Sequence, residues 1–486
     1  MIMTNFFQYI KSAGLLFGLG LALVASPGCR KYLEVPLPLT SITVPSAFQN
    51  DNTAGATLTG VYGQLSNINT IAGPIGVGGL TGLYGDELKI QVTLIPDLVS
   101  VYGDAVNSNS SFITSLWTTF YKQLYAVNLA IEGLKPATNL SYQSQWLGEA
   151  YFLRGLLYFY QTNLYGDAPL VLGSDYLSNN GLARSPQADV YKQIVSDLLQ
   201  AQSLLDSKYH DGTGAVTTGR GRPNKAAATA LLARVYLYMK DWKNAEAQAG
   251  NVIGDVADYQ LPALSKVFLV NSPEVVWGLV PYAGNTFLVA DAKSFYLPPG
   301  TSPATANVLS SLSDSLVAAF EPGDGRWATW VGKDSVPASG GFPAAVYFYH
   351  SKYKAMGSYT SAQETLVMLR LAEQYLIRAE ARAQQNNLGG ALADLNAVRA
   401  RAGLGASTAV SQADLLAAIL HERRVELFME VGHRWFDLRR TGNVDAVMSV
   451  VAPLKGGAWS SYKAWWPIPL SDIQNDTRLV QTPGFQ

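Results

Sequence analysis

Apolar residues recur with helical spacing over much of the chain. In residues 223–253, Ala and Leu positions repeat every three or four residues, with a break near Lys240 and Asp241. The same plan returns at 364–402, where a longer helical pattern is followed by a shorter one. This spacing predicts two pairs of helices. Further helical patterns lie at 112–134, 142–165, 187–206 and 411–432.

The two predicted helix pairs share a spacing of small residues. Ala233 precedes Ala245 by twelve positions, and Ala379 precedes Ala391 by the same interval. Tetratricopeptide helices touch at this offset, because only a small side chain lets their axes approach. The pattern predicts a mostly α-helical, tetratricopeptide-like scaffold, with units near 112–253 and 364–432.

Two long segments depart from the helical pattern. Residues 66–110 are rich in Gly, Asn and Ser, and residues 255–362 combine short β-type runs such as "EVVWGLV" with Pro and Gly turns. Long irregular segments set on a rigid frame commonly carry function. We therefore expect these two segments, the second of them partly β, to form a ligand face.

The overall charge narrows the class of ligand. The chain has 35 Lys and Arg against 36 Asp and Glu, a net charge of -1, which argues against nucleic-acid binding and against a polybasic membrane surface. Aromatic residues reach 11%, with 10 Trp and 26 Tyr. Tyrosine-rich surfaces favour flat, amphipathic ligands.

The single cysteine, Cys29, excludes an intramolecular disulfide and a cysteine-based zinc site. It follows an apolar run at 13–26 that is too short to span a bilayer and that lies behind a polar N-terminus. A lone cysteine in this place resembles the acylated residue of a bacterial lipoprotein signal. We predict a signal peptide at 1–28 and lipid attachment at Cys29; the alternative is an ordinary cleaved signal peptide with an incidental cysteine.

The stretch 421–442, "HERRVELFMEVGHRWFDLRRTG", holds two of the four histidines, which suggests a metal or acid–base site. The spacing of these residues matches neither a zinc motif nor a di-iron motif. An HExxH zinc motif begins at His421, but Val425 stands where the second histidine is needed. Glu430 and His433 form a single ExxH, whereas a di-iron bundle needs two. The chain has no GxSxG elbow, P-loop or kinase signature either, so we predict no catalytic residue and no metal site.

The same stretch fits a structural role. On the helix predicted at 411–432, Arg423 and Glu430 fall within or beside the apolar stripe, and a charge on a core-facing stripe must be paired. Glu426 and Glu430 are the nearest partners for Arg423, and other helices can supply more. Gly432 suits the end of this helix. We predict a buried ion-pair network.

Several of these segments resemble one family. The run at 421–442 resembles the most characteristic segment of the SusD/RagB family, and "WWPIPLSDIQNDTRLVQTPGF" (465–485) is similar to its closing motif. "LRLAEQYLIRAEARA" (369–383) resembles the penultimate helical unit, "FQNDNTAGATLTGVYGQL" (48–65) the first helix, and "CRKYLEVP" (29–36) the mature start. The motifs come from both ends in the right order, so the resemblance covers essentially the whole chain.

The resemblance implies a single domain over 29–486 and a non-catalytic binding protein that needs no cofactor. Family members hold an oligosaccharide, glycan or other nutrient at the outer membrane and act as a lid on a TonB-dependent, SusC-like transporter. It further implies a lipid-anchored protein at the cell surface, with no nucleic-acid partner.

Candidate ligand contacts lie in the two irregular segments. Stacking on a sugar needs a flat side chain with polar neighbours that can bond hydroxyls. Trp277 lies in an apolar run and is predicted to be core, while Trp327 and Trp330 are the next to test. The predicted ligand-binding residues are Tyr84, Asp86, Tyr102, Asp104, Tyr282, Phe287 and Tyr296.

Two other functions stay open from the residues alone. A tetratricopeptide protein-interaction scaffold would bind peptide, but it would not need a long irregular insertion. An exported helical-barrel glycoside hydrolase would need two carboxylates facing one sugar. The acids of the second irregular segment show no evident pair in an aromatic setting; they include Asp291, Asp314, Glu321 and Asp324.

Overall fold

The computed structural model describes residues 47–67, 70–282, 284, 286–338 and 343–485. The predicted signal peptide and Cys29 lie outside these residues. Within them, no helix combines the length and the apolar composition that a membrane crossing requires.

Helices dominate the described part of the chain. The N-terminal helices are α1 (Asp51–Leu65), α2 (Val77–Tyr84), α3 (Pro96–Tyr102), α4 (Ser111–Leu134), α5 (Gln143–Tyr165), α6 (Tyr176–Asn179), α7 (Gln187–Leu204), α8 (Lys225–Tyr238) and α9 (Trp242–Gly254). The second irregular segment, residues 255–362, is called the insertion below. Its short helices are α10 (Ala290–Phe295), α11 (Pro303–Ala306), α12 (Asp314–Val317) and α13 (Gly325–Trp330). The C-terminal helices are α14 (Leu371–Gln384), α15 (Leu388–Arg401), α16 (Gln412–Glu426), α17 (His433–Arg440), α18 (Val444–Leu454) and α19 (Leu470–Asn475).

The long helices stack on their neighbours in sequence. Helix α4 packs on α5, α5 on α7, α7 on α8 and α8 on α9. The stack then skips the insertion, because α9 packs directly on α14, which packs on α15 and α16. This arrangement confirms the predicted mostly α-helical, tetratricopeptide-like scaffold.

The two predicted helix pairs share their turn geometry as well as their small residues. Ala233, Ala245, Ala379 and Ala391 are all fully buried where α8 meets α9 and α14 meets α15. In each turn a residue with left-handed backbone, Lys240 (φ +59°) or Asn386 (φ +62°), precedes the capping residue. Asp241 and Asn387 then each accept a hydrogen bond from a backbone N–H in the first turn of the next helix, which satisfies an otherwise unpaired donor.

Within the described residues, the strands form four antiparallel two-stranded sheets. They are β1 (Leu88–Ile90) with β5 (Ser310–Leu312), β2 (Tyr209–His210) with β3 (Val216–Thr217), β4 (Val275–Leu279) with β8 (Leu366–Arg370), and β6 (Val331–Val336) with β7 (Ala345–His350). Trp277 on β4 is fully buried, which confirms its predicted place in the core. The β4–β8 pair joins the start of the insertion to its end.

Three sequence predictions of secondary structure are wrong. A helix was predicted from residue 364, but Leu366–Arg370 is β8, because its backbone pairs with β4. Residues 66–110 are less irregular than expected, since they contain α2, β1 and α3. The helix predicted at 411–432 ends at Glu426. Met429 (φ +57°) and Val431 (φ +41°) have left-handed backbone, and Gly432 (φ +84°) precedes α17 instead of ending α16.

Candidate functional site

The charged stretch at 421–442 forms a buried ion-pair network around Arg370. The Arg370 guanidinium donates to Glu430 Oε2 at 2.7 Å, to Glu274 Oε1 at 2.7 Å and to Glu426 Oε1 at 2.5 Å. Lys352 Nζ donates to Glu430 Oε1 at 2.5 Å. Burial would raise the pKa of Glu430, but Arg370 and Lys352 outweigh it and hold the pKa below its usual value. The predicted network is confirmed.

The partners within the network differ from those predicted. Arg423 Nε donates to Asp437 Oδ2 at 2.7 Å, so Glu426 and Glu430 are not its partners. The turn after Glu426 takes Glu430 off the helix that carries Arg423, whereas Glu426 stays on that helix but binds other arginines. Instead, Glu426 accepts from Arg326 Nη1 at 2.8 Å, a residue of the insertion.

The histidines of this stretch do not form a metal site. Burial, together with the nearby Arg234, lowers the pKa of His433 well below its usual value, so the ring is neutral. Over the residues that the structure covers, no group of three or more His, Cys, Asp or Glu side chains is arranged to hold a metal ion.

Tyr84 and Asp86 lie beneath the C-terminal motifs. The Tyr84 ring is fully buried, its edge contacts Trp435 at 4.9 Å between ring centres, and its hydroxyl donates to Lys463 O at 2.8 Å. Asp86 is buried and accepts from Arg434 Nε at 2.8 Å. The expectation that these side chains are exposed is wrong, because the apolar run before Tyr84 forms a buried helix.

Tyr102 and Asp104 share one cation, Lys455. Asp104 is fully buried and accepts from Lys455 Nζ at 3.2 Å, which makes the expectation of an accessible carboxylate wrong. Burial raises the pKa of Asp104 to about 6, although Lys455 opposes the shift. Tyr102 is half-buried, and the Lys455 ammonium lies 5.3 Å from its ring centre. These contacts fasten the 66–110 segment to the C-terminal part of the chain.

The aromatic residues of the insertion fall into different environments. Tyr296 is half-buried and meets Tyr349 edge-on at 5.9 Å between ring centres. Phe287 is half-buried, and its N–H donates to Tyr282 O at 3.0 Å. Trp330 is buried, whereas Trp327 is half-buried. Tyr282 stands out, because 43% of it is exposed.

Tyr282 lines a cleft with a volume of ≈ 560 Å³, which we call the Tyr282 cleft. Its walls come from α1, from the β2–β3 hairpin and the loop after it, and from the chain that leaves β4. The volume lies within the range of small-molecule sites. Of the seven predicted ligand contacts, only Tyr282 lines this cleft. Phe287 does not line it, but its backbone N–H binds the Tyr282 carbonyl.

The wall around Arg222 is rigid. Arg222 is buried and donates from Nη1 to Glu149 Oε2 at 2.6 Å and from Nη2 to Gly55 O at 2.9 Å. Its guanidinium lies 5.2 Å from the ring centres of both Tyr62 and Trp146. Tyr62 is held in turn by a 2.8 Å hydrogen bond from its hydroxyl to Glu149 Oε2. These contacts between buried side chains hold this wall of the cleft in place.

Polar side chains at the rim can bond a ligand. Asp211 Oδ1 accepts from Thr213 N at 2.8 Å and from Ala215 N at 3.2 Å, while Oδ2 has no hydrogen-bond partner in the described part of the chain. Hydrogen bonds from Thr213 lower the pKa of Asp211, so it is an ionised acceptor. Gln64 on α1 is exposed and lines the same cleft, and its side-chain oxygen accepts from Asn67 Nδ2 at 3.2 Å.

Glycines on α1 leave the cleft open. A Cβ placed on Gly60 or Gly63, both of which line the cleft, would meet no other atom within 4 Å. Gly55 differs, since its Cβ would lie 2.3 Å from Gly212 O. Packing therefore explains Gly55 but not the other two. At Gly60 and Gly63 the missing side chain leaves the helix backbone accessible from the cleft.

Most of the cleft was missed from the sequence. Its residues come from α1, the segment 210–222 and the end of β4, which are far apart along the chain. One signal was available, because "HDGTGAVTTGRGR" at 210–222 is a Gly- and Thr-rich run between two helical patterns. Loops of this kind often bind ligands.

Comparison with known proteins places the chain in context. Residues 337–485 match the model described as "SusD family", and residues 92–237 match the model described as "Starch-binding associating with outer membrane". The SusD-like protein P25 of Formosa agariphila is 24% identical, over 93% of this chain and 95% of that protein. The starch-binding protein SusD of Bacteroides thetaiotaomicron is 26% identical, over 73% and 75%.

Solved structures share the fold. A SusD superfamily protein from Bacteroides vulgatus superposes with a TM-score of 0.77 at 21% identity, covering 90% of this chain and 100% of that one. A laminarin-binding SusD-like protein gives a TM-score of 0.73 at 23% identity, with coverage of 90% and 100%. Two family models, full-length relatives and the fold agree with the motifs at both ends: the chain belongs to the SusD/RagB family.

Proposed function

We propose that this protein binds an oligosaccharide in the Tyr282 cleft and does not cleave it. The observation that carries the proposal is a partly exposed tyrosine ring beside Gln64 and Asp211 in a cleft left open by glycines. A sugar presents C–H faces that stack on aromatic rings and hydroxyls that bond to amides and carboxylates. Two similar proteins, one starch-binding and one laminarin-binding, support the same class of ligand.

The carboxylates support binding over hydrolysis. A glycosidase places two carboxyl groups on either side of the scissile bond. Asp211 is the one carboxylate among the described residues that line the cleft. Elsewhere, Glu321 and Asp324 line one hollow, but Arg399 and Arg326 hold them as ion pairs. Both carboxylates are therefore committed to structural ion pairs.

The proposal extends to location and partner. We infer one SusD-like domain after the signal peptide, an acylated Cys29 as the outer-membrane anchor at the cell surface, and delivery of the glycan to a TonB-dependent, SusC-like transporter. Support comes from the N-terminal sequence and from the family description that associates one matched model with the outer membrane. Co-purification of a transporter with the tagged protein from outer membranes would test the partnership.

Calorimetry with oligosaccharides from laminarin and from starch tests the binding site. The Tyr282→Ala variant should bind about 1–3 kcal/mol more weakly, because it loses a stacking ring. Tyr347→Ala is a matched control, since Tyr347 is a half-buried tyrosine on β7 that does not line the cleft. Tyr282→Phe keeps the ring and should retain most of the affinity.

Two results would contradict the proposal. Parent-like affinity in Tyr282→Ala would place the site elsewhere. New reducing ends in a glycan incubated with the parent protein would make it a hydrolase, and mass spectrometry of the incubated glycans checks this.

A further inference from the structure

Helix α4 carries a row of aromatic rings away from the Tyr282 cleft. Trp117, Tyr121 and Tyr125 follow one another at four-residue intervals, which places them on one face of the helix. The rings of Trp117 and Tyr121 are 4.8 Å apart between centres. Trp117 is buried, Tyr121 is half-buried and Tyr125 is 49% exposed, so the row runs from the core to the surface.

Two adjoining hollows lie along this row. They have volumes of ≈ 340 and ≈ 520 Å³ and share Trp117, Tyr121 and Asp472, and we call them together the Trp117 groove. Tyr176, which is 72% exposed, lines the first hollow, and Tyr125 lines the second. No described residue of the Tyr282 cleft lines the groove.

The inner rings of the groove are fixed in place. Trp117 Nε1 donates to Asp472 Oδ2 at 2.6 Å, and the Tyr121 hydroxyl donates to Pro169 O at 3.1 Å. A ligand that stacks on Tyr121 would not have to order that ring, which lowers the entropic cost of binding. The other Asp472 oxygen accepts only a 3.2 Å hydrogen bond from Ser471 within the described residues, and the exposed Asn475 lies nearby in the same lining.

This combination favours a sugar over a protein surface. The aromatic rings share this lining with the carboxylates of Asp472 and Asp476 and the amide of Asn475, which suits a ligand with C–H faces and hydroxyl edges. The hollows are concave and have the volumes of small-ligand sites, whereas a specific protein interface covers about 800 Å² on each partner. We propose that the Trp117 groove is a second binding site for a sugar chain.

A second site changes how the protein holds a polymer. Two sites on one chain can engage one long glycan together, so the second contact adds avidity without a new high-affinity site. Short oligosaccharides reach only one site at a time. The proposal takes its class of ligand from the function proposed for the Tyr282 cleft, but it rests on its own residues.

The test compares retention in native gels that contain laminarin or soluble starch. A double variant, Tyr125→Ala with Tyr176→Ala, should be retained at least about fivefold less than the parent. Both side chains are exposed, so the fold should persist, and circular dichroism melting checks this. The double Phe variant should restore retention, Tyr347→Ala should behave as the parent, and adding Tyr282→Ala should weaken retention further.

The outcomes separate the two sites. Parent-like retention of the double Ala variant on the polysaccharide that retains the parent would overturn the second site. Unchanged retention with loss of a co-purified transporter would assign the groove to a protein partner instead. A normal Tyr282→Ala variant beside a weakened double variant would reject the Tyr282 cleft and leave the groove standing. A parent retained by neither polysaccharide would contradict both proposals.

Discussion

Replacing Gly60 with leucine should close the Tyr282 cleft without harming the fold. Gly60 lies in the middle of α1 and lines the cleft, and a Cβ there would meet no other atom within 4 Å. The new side chain therefore points into the open space of the Tyr282 cleft. At Gly55 on the same helix a Cβ would lie 2.3 Å from Gly212 O, so the backbone would have to shift.

The structure sets the sign and size of each effect. Glycine within a helix costs about 0.5–1 kcal/mol relative to alanine, so Gly60→Ala should raise the free energy of unfolding by that amount. Gly60→Leu should be near neutral or slightly stabilising, since leucine is also a good helix former. Gly55→Ala should destabilise by about 1–3 kcal/mol through overpacking. Gly60→Leu should weaken glycan binding by at least about tenfold, or 1.4 kcal/mol.

Urea unfolding and calorimetry on the same samples check these values. Gly389→Leu is the matched control, because Gly389 is a helical glycine with no atom within 4 Å of its Cβ and lies outside the cleft. It should bind glycan as the parent does. A folded Gly60→Leu variant with parent affinity would refute the reasoning that the glycines keep space for a ligand.

Three further predictions concern the core and the anchor. Arg370→Met should lower the free energy of unfolding by about 3–5 kcal/mol, because three buried carboxylates each lose a partner. Arg423→Met should lower it by less, because Asp437 keeps its ion pair with Arg440. Urea unfolding that reversed this order would contradict the network. Burial raises the pKa of Glu87 from 4.5 to about 7, so ionisation of this carboxyl lowers the free energy of unfolding as the pH rises. This cost is absent below about pH 4.5 and complete above about pH 7. Glu87→Gln should therefore add on the order of 3 kcal/mol near pH 8 and nothing near pH 4.5, and an equal effect at both would exclude ionisation as the cause. Cys29→Ala should leave the protein unprocessed or soluble; unchanged membrane fractionation with no lipid mass on the mature N-terminus would exclude acylation.

The helical frame was predictable because its signals are local. Periodic Ala and Leu positions predicted both ends of the helix at 225–238 and the C-terminal end of the helix at 371–384 to within a few residues. The start of the second helix was predicted too early, because the residues before it form β8. The run "LVMLR" at 366–370 is apolar without a break, and periodicity alone cannot separate a buried strand from a helix in so short a run. Its pairing with β4, about ninety residues earlier, decides the outcome.

The candidate site was less predictable because exposure depends on distant residues. Tyr84 and Tyr282 both stand beside Gly or Pro in segments read as irregular. Tyr84 is buried by Trp435 and Trp466, which belong to motifs some 350 residues further along the chain. Nothing local distinguishes the two tyrosines, so only the tertiary structure shows that Tyr282 is the accessible one.

The ion-pair network and the cleft are linked through one sheet. Arg370 is the last residue of β8, and Glu274, which it binds at 2.7 Å, immediately precedes β4. Strand β4 pairs with β8 and leads within three residues to Tyr282. The carboxylates of Glu426 and Glu430 thus fix the strand from which the stacking ring extends. A charged motif with no contact to the cleft can therefore set the position of Tyr282, so a structural network can support the binding proposed for the cleft.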